Sequence, residues 1–211
     1  MKIYVTGLGV VSGIGLGVAE NIASLRKHQH GMGKVTLFPT ELDVPVSEVK
    51  YSNEELKRLL SLDIQKTFSR TALLGMLAAR EAVDDARLDL NTLRVGLISS
   101  TSVGGMDLSE HFYNAFKKDN RKGRLREVIS HDCGASTEMI ADYLKVNDFV
   151  TTISTACSSA ANAIMLGARM IRNGQLDAAI VGGTDALCKF TLNGFLSLIH
   201  ISEPTRLLSI S

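Results

Sequence analysis

Apolar and polar positions along this chain follow two periods, one of strands and one of helices. Val150-Thr151-Thr152-Ile153 is a β-branched run of strand type, and Leu176 to Val181 is a second buried-strand run ending at Gly182-Gly183. Between them, Ala160 to Ile171 is apolar nearly all round, the composition of a centrally buried helix, and Gly174 after Arg172-Asn173 supplies its stop. Upstream, Thr67 to Ala86 predicts a longer helix with Leu73, Leu77, Ala78 and Ala82 on a core-facing stripe. Ser52-Asn53-Glu54-Glu55 has the spacing of a capping box and opens a short helix through Leu60. Asp107 to Lys117 and Thr137 to Leu144 are further helices, and the short apolar run at the start, broken by Gly7 and Gly9, reads as a strand. Pro39 and Pro45 interrupt any period between His28 and Lys50, which predicts an extended surface excursion. Strands alternating with helices predict a layered α/β fold.

With 211 residues, 45% of them hydrophobic, the chain can bury one sizeable core. Its 23 basic residues balance 22 acidic ones, so no global charge draws it to nucleic acid, and no run approaches the length of a membrane span. Cys133, Cys157 and Cys188 form no Cys-x-x-Cys pair, which fits a reducing cytoplasm and argues against a zinc site. One local charge cluster stands out. Lys117, Lys118, Arg121, Lys122, Arg124 and Arg126 surround the single acid Asp119, as a solvated loop or as a docking face for an acidic partner. His28, His30, His111 and His131 fall on predicted surface segments.

Two patterns suggest a nucleotide-dependent oxidoreductase, and both are weak. Gly7-Leu8-Gly9 lacks the third glycine of a dinucleotide fingerprint, because Ser12 stands in its place. Tyr113 and Lys117 have the Tyr-x-x-x-Lys spacing of short-chain dehydrogenases, a pattern with two fixed positions that chance readily supplies.

Ser154-Thr155-Ala156-Cys157-Ser158-Ser159 is a stronger signal: a strand ends at a cysteine and a helix of small residues begins there. A thiol at a helix N-terminus sits among unpaired N–H groups at the positive end of the dipole, which favours the thiolate and offers donors to an oxyanion. The bland alternative for Cys157 is a small buried hydrophobe.

At these residues the chain resembles the β-ketoacyl-acyl carrier protein synthases, the decarboxylating condensing enzymes of fatty-acid and polyketide synthesis. The resemblance rests on Ser154 to Cys157, on Ala168-Arg169-Met170-Ile171 and on Gly182-Gly183-Thr184-Asp185. It extends to Val5 through Gly15, which is similar to the family's first strand and turn, and to Arg94 through Gly105. It implies the N-terminal half of a layered αβαβα thiolase-like fold. It also implies Cys157 as the acyl-carrying nucleophile, whose own N–H forms half of an oxyanion hole. Val103 and Phe195 stand where the family places acyl-pocket residues, with a plain core role as the alternative for each. No metal or organic cofactor is implied beyond the phosphopantetheine arm of the partner, acyl carrier protein. The assembly implied is a homodimer or a ketosynthase heterodimer.

Alternatives within the superfamily are thiolases, starter-unit synthases, polyketide ketosynthases and non-catalytic chain-length factors; retention of Cys157 argues against the last. The family's two catalytic histidines and its lysine belong to a second half whose motifs match nothing here, and His200 lacks their context. Leu196 to Arg206 resembles the translation of a transposase adapter used in preparing sequencing libraries, with a divergent amphipathic terminus as the alternative. Residues 1–195 are therefore expected to be the native half-domain and residues 196–211 adapter read-through.

Overall fold

Backbone donors at the start of the chain are satisfied by carboxylates. Residues 1–10 of the protein, a computed structural model in which residues 1–196 are described, run without strand pairing. The Leu8 N–H donates to Asp85 (2.9 Å) and the Val10 N–H to Glu81 (3.0 Å). The expected first strand is thus reduced to β1 (Val11–Ser12), paired antiparallel with β2 (Gly15–Leu16) and followed by α1 (Val18–Arg26). The excursion after His28 contains a second short antiparallel pair, β3 (Met32–Gly33) with β4 (Val46–Ser47), which the proline-broken pattern conceals. The capping box is formed: the Ser52 hydroxyl accepts the Glu55 N–H at 3.2 Å, the Glu55 carboxylate accepts the Ser52 N–H at 2.7 Å, and α2 (Asn53–Leu59) follows. Next comes α3 (Arg70–Ala86), which begins at Arg70 and not Thr67 because the Ser69 hydroxyl caps it by accepting the Ala72 N–H.

The remaining elements are β5 (Val95–Ser100), α4 (Met106–Lys118), α5 (Leu125–Ile129), α6 (Cys133–Leu144), β6 (Phe149–Ile153), α7 (Ser159–Arg172) and β7 (Ala178–Val181). The segment expected as a charged loop therefore lends Lys117 and Lys118 to α4 and Leu125 and Arg126 to α5. Between them Asp119 draws in the Arg121 N–H and guanidinium. The last helix of that group, α6, starts at Cys133, upstream of its predicted Thr137, because the Asp132 carboxylate caps it through the Gly134 N–H at 2.6 Å.

Strands β6, β5 and β7 form one parallel sheet with β5 in the middle, every residue of which is buried. One face carries Val95 and Leu97 into a core with Leu73, Leu77, Ile140 and Ala141 of α3 and α6. The other presents Ile98 to Ala163 and Met170 of α7. Close approach on that side requires glycine at position 167, where a Cβ would meet Val181 and Ala179 side chains. Two burial expectations change. Only one stripe of α7, Ser159, Ala163, Gly167 and Met170, is buried, while Ile164 and Met165 are about half exposed (52% and 48%). All of β7 is half-buried because it is a sheet edge.

Gly7 and Gly9 have a packing role. A methyl at either position would run into the α3 backbone at Ala82 or Ala78, so the chain lies directly on a stripe of alanines and leaves no cradle for a pyrophosphate. In the full-length protein, Gly9→Ala should lower stability by about 1–3 kcal/mol through overpacking, read as a shifted urea midpoint; an unchanged midpoint would contradict this contact.

Arg94 and Asp177 lock the starts of β5 and β7 together: Asp177 accepts the Arg94 N–H (2.9 Å), Nε (3.1 Å) and Nη2 (2.7 Å). The bonded Arg94 side chain holds the Asp177 carboxyl down to about 2, from an ordinary value of 3.8. A depressed carboxyl stabilises the fold above its unfolded value, and that contribution is lost as pH falls from 3.8 through about 2. The stability difference between wild type and Asp177→Asn should therefore be constant above about pH 5 and shrink as the pH falls below that through about 2, measured by denaturant titration at stepped pH.

Candidate active site

The carboxyl ends of all three parallel strands open on the same edge of the sheet, where ligand sites of α/β sheets lie. From β6 the chain passes through Ser154 and Thr155 into a single 3-10 turn, Ala156–Ser158, and then into α7. Cys157 sits in that turn, two residues before α7 begins and not at the helix start that its sequence context suggests, and is exposed. Its N–H has no acceptor among the described residues, whereas the next two N–H groups are bonded back to Thr155 and Ala156 carbonyls. Thiol and free donor thus share one residue at an open position.

The turn is strained and braced. Ala156 has φ +51°, a left-handed conformation that disfavours a side chain by about 1–3 kcal/mol. Ser159, buried at the start of α7, bridges it: its Oγ accepts the Thr155 N–H (2.7 Å) and donates to the Ala156 carbonyl (2.7 Å). Asn162, one turn further on, donates to the Thr155 hydroxyl (2.8 Å), which also receives the Ser158 hydroxyl (3.1 Å). Sequence reasoning counted Ser159 only as a small residue that lets a substrate approach and assigned no role to Asn162; the available signal was two hydrogen-bonding side chains in the first turn of a helix that otherwise begins with small and apolar residues.

Val103 is buried, 7% exposed, in the loop between β5 and α4. That loop hangs on Asp185, just past the glycines that end β7. One oxygen of the carboxylate accepts the Thr101 hydroxyl (2.6 Å), the Ser102 N–H (2.8 Å) and the Val103 N–H (3.2 Å). Thr101 Oγ1 in turn accepts the Gly104 N–H at 3.0 Å, and Gly104 adopts φ +55° against the backbone of His131 and Cys133, where a Cβ has no room. At the far end of the loop, Asp107 accepts the Arg70 N–H (2.9 Å), and burial pushes its carboxyl up.

Phe195 is 68% exposed, on a helical segment over 189–196. Glu110 of α4 fixes the start of that segment by accepting the Lys189 and Phe190 N–H groups. The structure therefore ties both expected pocket residues to the two ends of one unit, Val103 before α4 and Phe195 through Glu110, and buries only Val103. Two histidines expected to be purely solvated have partners instead: His131 Nδ1 meets the Ser109 hydroxyl (2.9 Å), and His111 Nδ1 meets Glu127 (3.1 Å). Neither is bonded to Cys157. Tyr113 is exposed on α4. His200 and the segment read as adapter lie, except for Leu196, outside the described residues.

A parallel α/β sheet flanked by helices thus presents an exposed cysteine on a braced turn at its strand ends. The chain belongs to the β-ketoacyl synthase family, whose N-terminal domain model matches residues 1–207, and has the thiolase-like fold of that family in its N-terminal half. It is 28% identical over 195 residues to 3-oxoacyl-[acyl-carrier-protein] synthase 2 of Staphylococcus aureus (strain MRSA252), covering 88% of this chain and 46% of that protein. It is likewise 28% identical to nodulation protein E of Rhizobium sp. (strain N33), over 88% and 47% of the two chains. Among solved structures it is similar to the ishigamide ketosynthase/chain length factor, with a TM-score of 0.82 and 30% identity over 90% of this chain and 49% of that one. The chain spans about half the length of the relatives it matches.

The three thiols should separate by reactivity. Cys157 is exposed, Cys133 is partly covered with its Sγ 3.9 Å from the Ser154 hydroxyl, and burial pushes the Cys188 thiol up. In the folded full-length protein, iodoacetamide at neutral pH should alkylate Cys157 first and Cys188 last, read by peptide mass mapping; faster labelling of Cys133 or Cys188 would count against Cys157 as the nucleophile.

Proposed function

We propose that this chain supplies the acyl-carrying half of a 3-oxoacyl-acyl carrier protein synthase. The observation that carries the reading is Cys157 itself, exposed on its turn beyond β6 with an unbonded N–H. In the proposed reaction the Cys157 thiolate attacks the carbonyl of an acyl-carrier thioester, the carrier thiol leaves, and the acyl group rests on Cys157. Malonyl-carrier protein then loses carbon dioxide, and the resulting carbanion attacks the enzyme thioester. The Cys157 N–H donates to the oxyanion, the thiolate departs, and a 3-oxoacyl-carrier product remains. Val103 and Phe195 are the residues proposed to face the acyl chain. No metal or organic cofactor enters the proposal other than the carrier's phosphopantetheine arm.

The family resemblance supports acyl carrier protein as the partner, and so does the basic run from Lys117 to Arg126, where Leu125 is 74% exposed beside the charges. A cytoplasmic homodimer or ketosynthase heterodimer is the proposed assembly. Among the described residues no helix is long and apolar enough to cross a membrane. A chain-length-factor-like partner without catalysis is the second reading, kept because a solved neighbour is a ketosynthase/chain length factor pair; the retained, exposed thiol favours the catalytic one. The oxidoreductase alternative has the exposed Tyr113 and the tightly packed Gly7 and Gly9 against it.

Cys157 has no hydrogen-bonding histidine among the described residues, so the proposed acyl transfer and the proposed decarboxylation are separable. Supplied with acyl- and malonyl-carrier protein, this chain alone should form no 3-oxoacyl product by mass spectrometry. The full-length protein should form it, and Cys157→Ala should abolish acyl loading while leaving the folded state intact. Condensation by the Cys157→Ala protein would refute the mechanism.

A further inference from the structure

Asp185 is not needed for the chemistry proposed above, yet it holds the loop that carries Val103 through its carboxylate. Its carboxylate oxygen collects a hydroxyl and two consecutive N–H groups from Thr101, Ser102 and Val103. The residue itself is exposed, so the interaction contributes no buried core, and its one visible effect is to set the path of residues 101–103. The same loop is held from the opposite side by the contact of Gly104 with His131 and Cys133. Val103 is thus clamped between the end of β7 and the start of α6. Asp185 follows Gly183, whose Cα lies so close to Ser100 and Ala160 that a side chain would strike both, which brings the end of β7 against the first turn after Cys157. A carboxylate on that short tether couples the place of Val103 to the place of the nucleophile.

We infer that Asp185 is a positioning residue that sets which acyl chains the site accepts, by fixing Val103 relative to Cys157. The inference rests on the proposed acyl transfer. All three donors converge on one oxygen, so the clamp is removed only by deleting that acceptor, as Asp185→Ala does; an asparagine could place its carbonyl oxygen at the same point. Without it the Ser102 N–H loses this acceptor and the Val103 N–H keeps only the Thr101 hydroxyl oxygen at 3.1 Å, so the loop has other positions open to it, and a misplacement of about 1 Å costs a rate on the order of a hundredfold in a site that depends on alignment.

The test is loading of Cys157 in the full-length protein by butyryl, octanoyl and dodecanoyl thioesters of acyl carrier protein, followed by intact-protein mass spectrometry. Iodoacetamide labelling of Cys157 serves as the control for the thiol itself. In Asp185→Ala the ratio of long- to short-chain loading rates should change by about tenfold or more while the alkylation rate stays at the wild-type value. Thr101→Val, which deletes the hydroxyl in the same clamp, should move the ratio in the same direction, and Thr101→Ser should restore it. An unchanged ratio in Asp185→Ala, or an equal fall in all three loading rates, overturns the inference. If Asp185→Ala does not fold, the Thr101→Val and Thr101→Ser pair decides by the same ratio. Wild-type protein that is not acylated at Cys157 at all overturns the proposed function and this inference with it.

Discussion

Complete burial of one parallel strand is the constraint on which the other elements depend. A strand buried on both faces must give all its N–H and C=O groups to neighbours, since water cannot reach them. Residues 95–100 meet that demand with β6 on one side and β7 on the other, in registers running from Gly96 opposite Phe149 and from Val95 opposite Ala178. Both partners are parallel, so each must be reached by a crossover, and those crossovers are the helices that cover the two faces. The same geometry brings three strand ends to one edge. The convergence of Cys157, the Val103 loop and Asp185 follows from satisfying the backbone of residues 95–100.

At that edge the chain accepts local strain in return for presentation of a thiol. A regular helix start at Cys157 would turn the residue before it into ordinary helical or extended backbone. Instead Ala156 is left-handed, and the chain turns sharply enough that Cys157 faces outward with its N–H free. Such a conformation persists only where neighbours over-determine it. Ser159 does so by bonding on both sides of Ala156, and Asn162 and Ser158 secure Thr155 from the helix. The absence of large side chains from Ala156 to Ala161 keeps the approach open.

Periodicity disclosed the elements whose stability comes from their own side chains and hid those whose stability comes from elsewhere. The Ser52 capping box and the runs over 150–153 and 176–181 are local signals, and the structure contains them. The first strand is absent as a paired element: residues 1–10 pair with no strand, and the Leu8 and Val10 N–H groups go to Asp85 and Glu81, acids far along the chain that no local pattern connects to them. The short pair at Met32 and Ser47 is fixed by backbone bonds across an irregular loop. In the candidate site, the place of Cys157 between β6 and α7 was legible because a lone thiol between a strand and a small-residue helix is an unusual composition. Asp185 appeared only as the acid after two glycines, since its meaning lies in donors on another strand's loop.

Both faces of α7 bear on how the proposed chemistry could be completed. Its buried stripe of Ser159, Ala163, Gly167 and Met170 seats it on the sheet, while Ile164 and Met165 project from the other side. Apolar side chains at those two positions make a surface suited to being covered, because exposed apolar patches mark interaction sites. Cys157 stands in the turn that leads into this same helix and is exposed like Ile164 and Met165. The described residues thus leave both the thiol and the outer side of α7 open, while their own hydrogen bonds hold the turn and the Val103 loop in position.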